Sequence, residues 1–154
     1  MDLDRLLREE DAGWQALHEA FARIPAERTE EPTVTPDGWS PKDVMFHVAA
    51  WLAECGEVLE RMRAGTWDPA AAPEETAGYL ERVNREWFEA SREMTPQDVR
   101  STFEAARQRA REGFGSLSAP SGGAWSWFEE SGPLHYAKHL RDLETWLADA
   151  PADG

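Results

Sequence analysis

Histidine is scarce in this chain, with four in 154 residues, and three of the four fall where one metal ion could gather them. His135 and His139 stand four residues apart in Pro133-Leu134-His135-Tyr136-Ala137-Lys138-His139-Leu140, a spacing that projects both imidazoles from one face of a helix. The third donor must come from a neighbouring element, and His47, in an earlier amphipathic stretch, is the candidate. Neutral imidazole suits zinc, nickel, iron or copper, and three of them leave a coordination position for water or substrate. Such a site can acidify bound water toward hydroxide at neutral pH for attack on an electrophile, or hold the thiolate of a low-molecular-weight thiol for transfer.

Each of these residues also has a plainer reading. A lone histidine on an apolar face, as His47 is when taken singly, can be a hydrogen-bonded packing residue, and an i, i+4 pair can arise on an exposed face. Register argues for the site in the second case: Leu143, Trp146 and Leu147 continue an inward face from His139. His18 has the charged neighbour Glu19 and no partner at helical spacing, so it reads as structural or solvated. Glu54, two turns beyond His47, is the candidate catalytic proton acceptor, with a solvated acid as the alternative. Trp51, one turn beyond His47, can pack beside its ring, and Tyr136 can donate a hydrogen bond to substrate or simply pack. The single cysteine, Cys55, excludes an intramolecular disulfide and reads as a small buried helix residue or as a reactive thiol near the metal.

The elements that must position these residues read as helices. Leu3, Leu6, Leu7, Trp14, Leu17, Phe21 and Ile24 repeat with helical period across 2–24, and Pro25 ends the run. An irregular connection over 26–39 carries Pro32, Pro36 and the Asp37-Gly38 turn signal. Ser40-Pro41-Lys42-Asp43 then combines a capping hydroxyl, a proline suited to the first helical position and an early negative charge, opening a helix over 41–63. A third helix is expected over 74–92. Thr95-Pro96-Gln97-Asp98 repeats the start device for a fourth over 96–117, and the last helix spans 133–148. Residues 118–132 contain Pro120, Gly122-Gly123, Trp125, Trp127 and Phe128 and read as an aromatic loop able to fold over a pocket. The expected class is all-α: four main helices plus one on a crossover, in one domain over 1–150 with a frayed tail at 151–154.

Thirty acidic against sixteen basic side chains give a formal net charge of −14, which repels phosphate backbones and anionic lipid heads. Neither nucleic acid nor a membrane is an expected partner. Apolar runs are far shorter than the roughly 20 residues a bilayer requires, and Met1-Asp2-Leu3-Asp4 lacks the basic and apolar regions of a signal peptide. Cytoplasmic residence is the default expectation. A chain of this length can bury enough surface to fold without a metal, so a metal here would serve chemistry.

The stretch Gly38-Trp39-Ser40-Pro41-Lys42-Asp43-Val44-Met45-Phe46-His47-Val48-Ala49-Ala50-Trp51 resembles the second-helix motif of the DinB/YfiT-like superfamily, and His135-Tyr136-Ala137-Lys138-His139 resembles its last-helix histidine pair. The correspondence spans nearly the whole chain. With Leu140, Leu143 and Trp146-Leu147 following, it is most similar to the ClbS/DfsB-like branch. The resemblance implies a four-helix bundle wound up-down-down-up, with His47, His135 and His139 as ligands to a divalent metal and a homodimer as a plausible assembly. Other branches use bacillithiol, mycothiol or glutathione, and the ClbS/DfsB-like branch is linked to resistance against a reactive genotoxin.

The leading expectation is therefore a metal-dependent enzyme acting on small electrophiles, by hydrolysis or by thiol transfer, in detoxification or resistance. A thiol transferase would need a cationic patch for a carboxylated thiol, for which Arg82, Arg85 and Arg107 are candidates. The alternative is a metal-free module that sequesters a toxic small molecule in the aromatic pocket. A weaker third reading is a structural partner whose acidic surface docks a basic one.

Overall fold

Six α-helices make up the regular structure of residues 2–149, the part of the chain that the computed structural model describes: α1 Leu3–Ala22, α2 Pro41–Ala64, α3 Tyr79–Ser91, α4 Pro96–Gly115, α5 Gly122–Ser131 and α6 Pro133–Ala148. No strand occurs among these residues. The expected tail at 151–154 lies outside them.

Local chemistry sets the helix starts. The Asp2 carboxylate accepts the Arg5 amide at 3.0 Å and opens α1. At α2 the capping box is complete: Ser40 Oγ accepts the Asp43 amide at 3.2 Å while Asp43 Oδ2 accepts the Ser40 amide at 2.8 Å, satisfying two otherwise orphaned donors. Gly65 ends the same helix at φ 70, the left-handed conformation that only glycine adopts without a steric penalty. Thr95 caps α4. The connection over 26–39 is irregular apart from one short 3-10 turn at Ala26–Arg28, and it packs onto the end of α6 through the Trp146 indole, which donates to Thr33 Oγ1 at 2.8 Å.

Cross-chain pairs fix the helix directions. Tyr136 meets Gly13 and Glu144 meets Arg23, so α1 and α6 run parallel. Arg107 binds Glu10 while Glu104 meets His18, so α4 runs against α1. Arg109 packs on Gly56 and Gly113 on Leu59, so α2 and α4 run together. The bundle is therefore up-down-down-up, with α3 on the crossover between the two parallel middle helices. α2 and α4 share the largest interface, and Leu17, Val44, Val48, Leu52, Phe103, Phe114, Phe128 and Leu143 fill the core between the helices.

Two expectations are corrected. Residues 118–132 are not a loop, because α5 occupies Gly122–Ser131. Ser121 caps it by accepting the Ala124 amide at 3.1 Å, and Ala124, Phe128 and Ser131 form its buried stripe. The third helix starts at Tyr79 rather than at 74. Gly78, at φ 78, breaks the helical path, and Pro73–Glu75 forms a separate 3-10 turn.

Candidate metal centre

His47 is carried by the second turn of α2, whose start the capping box pins; His135 and His139 stand on successive turns of α6. The packing of α2 against α6 brings all three together. His135 Nε2 lies 2.9 Å from His47 Nε2 and 2.9 Å from His139 Nε2, with the rings near perpendicular to one another. His139 is buried and the other two half-buried. Trp39 backs His47 at a ring-centroid distance of 4.9 Å and closes that side.

Burial, followed by repulsion from a neighbouring imidazole and from Lys138, lowers each of these histidines to about 3. All three are then neutral at pH 7, the form that binds metals. A neutral His135 Nε2 carries either one proton or one lone pair, so only one of its two 2.9 Å contacts can be a hydrogen bond. A cation that accepts a lone pair from each nitrogen satisfies the three together. The Nδ1 atoms of His135 and His139 are also buried without a hydrogen-bond partner. The Asp142 carboxylate stands 3.4 Å from His139 Nδ1 without a hydrogen bond to it, close enough to accept the Nδ1 proton after a small side-chain rotation. This donor set suits a divalent transition metal.

No known protein family's sequence profile matches the chain, and no curated relative matches it. Among solved structures, the sibling lethal factor precursor DfsB superposes with a TM-score of 0.79 at 13% sequence identity, over 96% of this chain and 96% of that one. The chain has the DfsB fold. At that identity the likeness concerns architecture, and it agrees with the helix directions found above. How the DfsB fold is used here rests on this chain's own side chains.

A cavity of about 380 Å³ opens beside the triad, lined by Trp51, Leu80, Trp127, Ser131 and His135 together with Glu74, Glu75, Ser126 and Glu130. Of the aromatic residues on α5, Trp127 reaches this cavity, Phe128 stacks on Phe114 in the core with ring centroids 4.3 Å apart, and Trp125 meets the edge of Phe114. Trp51 donates its indole N–H to Asn84 Oδ1 at 2.9 Å and presents its ring to the cavity wall. Glu54 is placed apart: it accepts the Tyr79 hydroxyl at 2.9 Å and is not among the cavity-lining residues. Burial raises its carboxyl pKa, and the Tyr79 bond opposes the rise.

The remaining candidates have structural partners. Cys55 is buried, its Sγ faces the Trp127 carbonyl at 3.6 Å, and burial pushes its thiol up to about 12, so it is an inert core residue. His18 faces Glu104 at 3.4 Å and is outside the triad. Tyr136, fully buried, donates to Glu10 Oε1 at 3.0 Å. Glu10 is itself 1% exposed and is held bidentately by Arg107 at 2.9 and 2.8 Å. This ionic knot joins α1, α4 and the helix that carries both terminal histidines. Sequence reasoning missed Asp142, although its i, i+3 spacing from His139 is a legible signal. It also missed Glu10, which carries no such signal, because its partners are 97 and 126 residues away in sequence.

Proposed function

We propose that the protein is a divalent-metal enzyme in which His47, His135 and His139 hold the ion and the adjoining cavity presents a small electrophile for hydrolysis, in detoxification of reactive compounds. The reading is carried by one observation, the convergence of three neutral imidazole nitrogens at a point where they cannot satisfy one another. An ion on three such ligands keeps a coordination position for water or substrate and acts there as a Lewis acid. The chain's own residues supply the rest. Trp51 and Trp127 give the substrate an apolar wall, and Asp142, 3.4 Å from His139 Nδ1, is the nearest carboxylate able to accept the proton there once an ion engages Nε2. Glu54 accepts the Tyr79 hydroxyl and does not line the cavity, whereas Glu130 and Glu75 do and are better placed as proton acceptors.

Metal content of tag-free protein tests this reading. About one transition-metal ion per chain is expected for the natural sequence, and His135→Ala is expected to lose most of it, since two nitrogens hold an ion far more weakly than three. Stoichiometry unchanged in that variant overturns the ligand assignment. Natural protein that binds a small electrophile tightly but holds no transition metal favours the sequestering module instead.

A further inference from the structure

We infer that the cavity beside His135 selects a neutral or cationic substrate with an aromatic or apolar body and excludes carboxylated thiols, which sets the site against transfer of such a thiol. This rests on the cavity being the substrate site. Glu74, Glu75 and Glu130 line it and, among the described residues, no lysine or arginine does. Glu74 is answered by Arg61. Glu75 and Glu130 are exposed and have no ion-pair partner among the described residues, so two uncompensated negative charges stand at the opening. Trp51 and Trp127, with ring centroids 6.4 Å apart, line the same cavity as these glutamates and His135. Indole faces beside carboxylates are the surroundings that attract an organic ammonium group.

None of the three candidate arginines for a carboxylated thiol lines the cavity. Arg107 is bound to Glu10 and Asp11, and Arg82 lies over the Tyr79 ring with its guanidinium carbon 5.5 Å from the centroid. Arg85 is exposed on α3 and does not line the cavity. A glutathione-like thiol, anionic at neutral pH, would approach a negative opening on a chain of net charge −14 and meet like-charge repulsion without a compensating contact.

Tryptophan fluorescence tests this, because two reporters line the wall. Benzyltrimethylammonium, benzyl alcohol, phenylacetate and glutathione are titrated into metal-free and zinc-loaded protein. Saturable quenching is expected from the ammonium probe in both forms, weaker binding from the alcohol, and none from phenylacetate or glutathione. Glu75→Gln with Glu130→Gln, two exposed positions, is expected to weaken the ammonium probe roughly three- to tenfold, the range for two rim charges. The inference is overturned if phenylacetate or glutathione binds as tightly as the ammonium probe, if that probe does not bind, or if the double variant leaves the preference unchanged. Zinc stoichiometry in the same preparations separates this from the metal assignment: an ammonium preference without bound zinc upholds the cavity and sinks the metal reading, while bound zinc with an anion preference does the reverse.

Discussion

Asp142 places a carboxylate beside the triad, 3.4 Å from His139 Nδ1. Asp142→Asn removes the charge that stabilises the proton on that nitrogen, and a roughly 10- to 100-fold loss of zinc affinity is expected in a chelator-competition titration. Protonation gives a second residue-scale test. Histidine titrates near 6.5 when unfolded, whereas His47, His135 and His139 are held at about 3 in the fold. Between those values the unfolded chain binds more protons, so stability is full above about pH 6.5 and is lost as pH falls toward 3. Urea midpoints of metal-free protein are expected to be nearly level above about pH 6.5 and to fall from there to pH 5, with one such histidine contributing a slope of up to about 1.4 kcal/mol per pH unit. A flat profile would mean that the imidazoles are not buried together. The triad was legible because i, i+4 spacing and a capped helix are local patterns. The tie of Glu54 to Tyr79 was not, because it depends on how α3 crosses α2.

At the scale of the elements, the sharp junction between α5 and α6 decides where His135 stands. Gly132 sits at that junction, and a Cβ there would lie 2.8 Å from the Phe128 carbonyl oxygen, closer than the packing allows. Gly132→Ala must shift the start of α6, and a loss of about 1 to 3 kcal/mol in urea unfolding is expected, together with weaker zinc binding from the displaced His135. Unaltered stability and zinc affinity would show that the junction does not set the site. α5 itself escaped the sequence reading, because Pro120 and Gly122-Gly123 suggest a loop and three aromatic residues obscure its stripe. The spacing of Ala124, Phe128 and Ser131 behind the Ser121 cap was the available signal. The starts of α2 and α4 were legible because serine or threonine, proline and aspartate act within one turn. The start of α3 was not, because Gly78 and the Glu74 to Arg61 pairing override a weak apolar pattern.

Across the whole molecule, the parallel pairings of α1 with α6 and of α2 with α4 place the triad between α2 and α6, two helices far apart in sequence. Helical periodicity located five of the six helices but not their directions, so the up-down-down-up order was expected from resemblance alone and is established here by pairs such as Arg23 with Glu144 and Arg109 with Gly56. No helix among the described residues is long and apolar enough to cross a membrane. A ligand that binds only the folded chain raises its stability by about 2.7 kcal/mol at 100 times its dissociation constant. Zinc at that level is therefore expected to raise the thermal midpoint of the natural protein and to leave His47→Ala almost unmoved; an equal rise in both would place the zinc elsewhere. The central claim concerns which atoms hold the ion, and X-ray absorption at the zinc edge of tag-free, zinc-loaded protein reads them directly. About three imidazole nitrogens at about 2.0–2.1 Å, with oxygen completing the shell, are expected. A shell containing sulfur at about 2.3 Å, or oxygen without imidazole, would contradict the account.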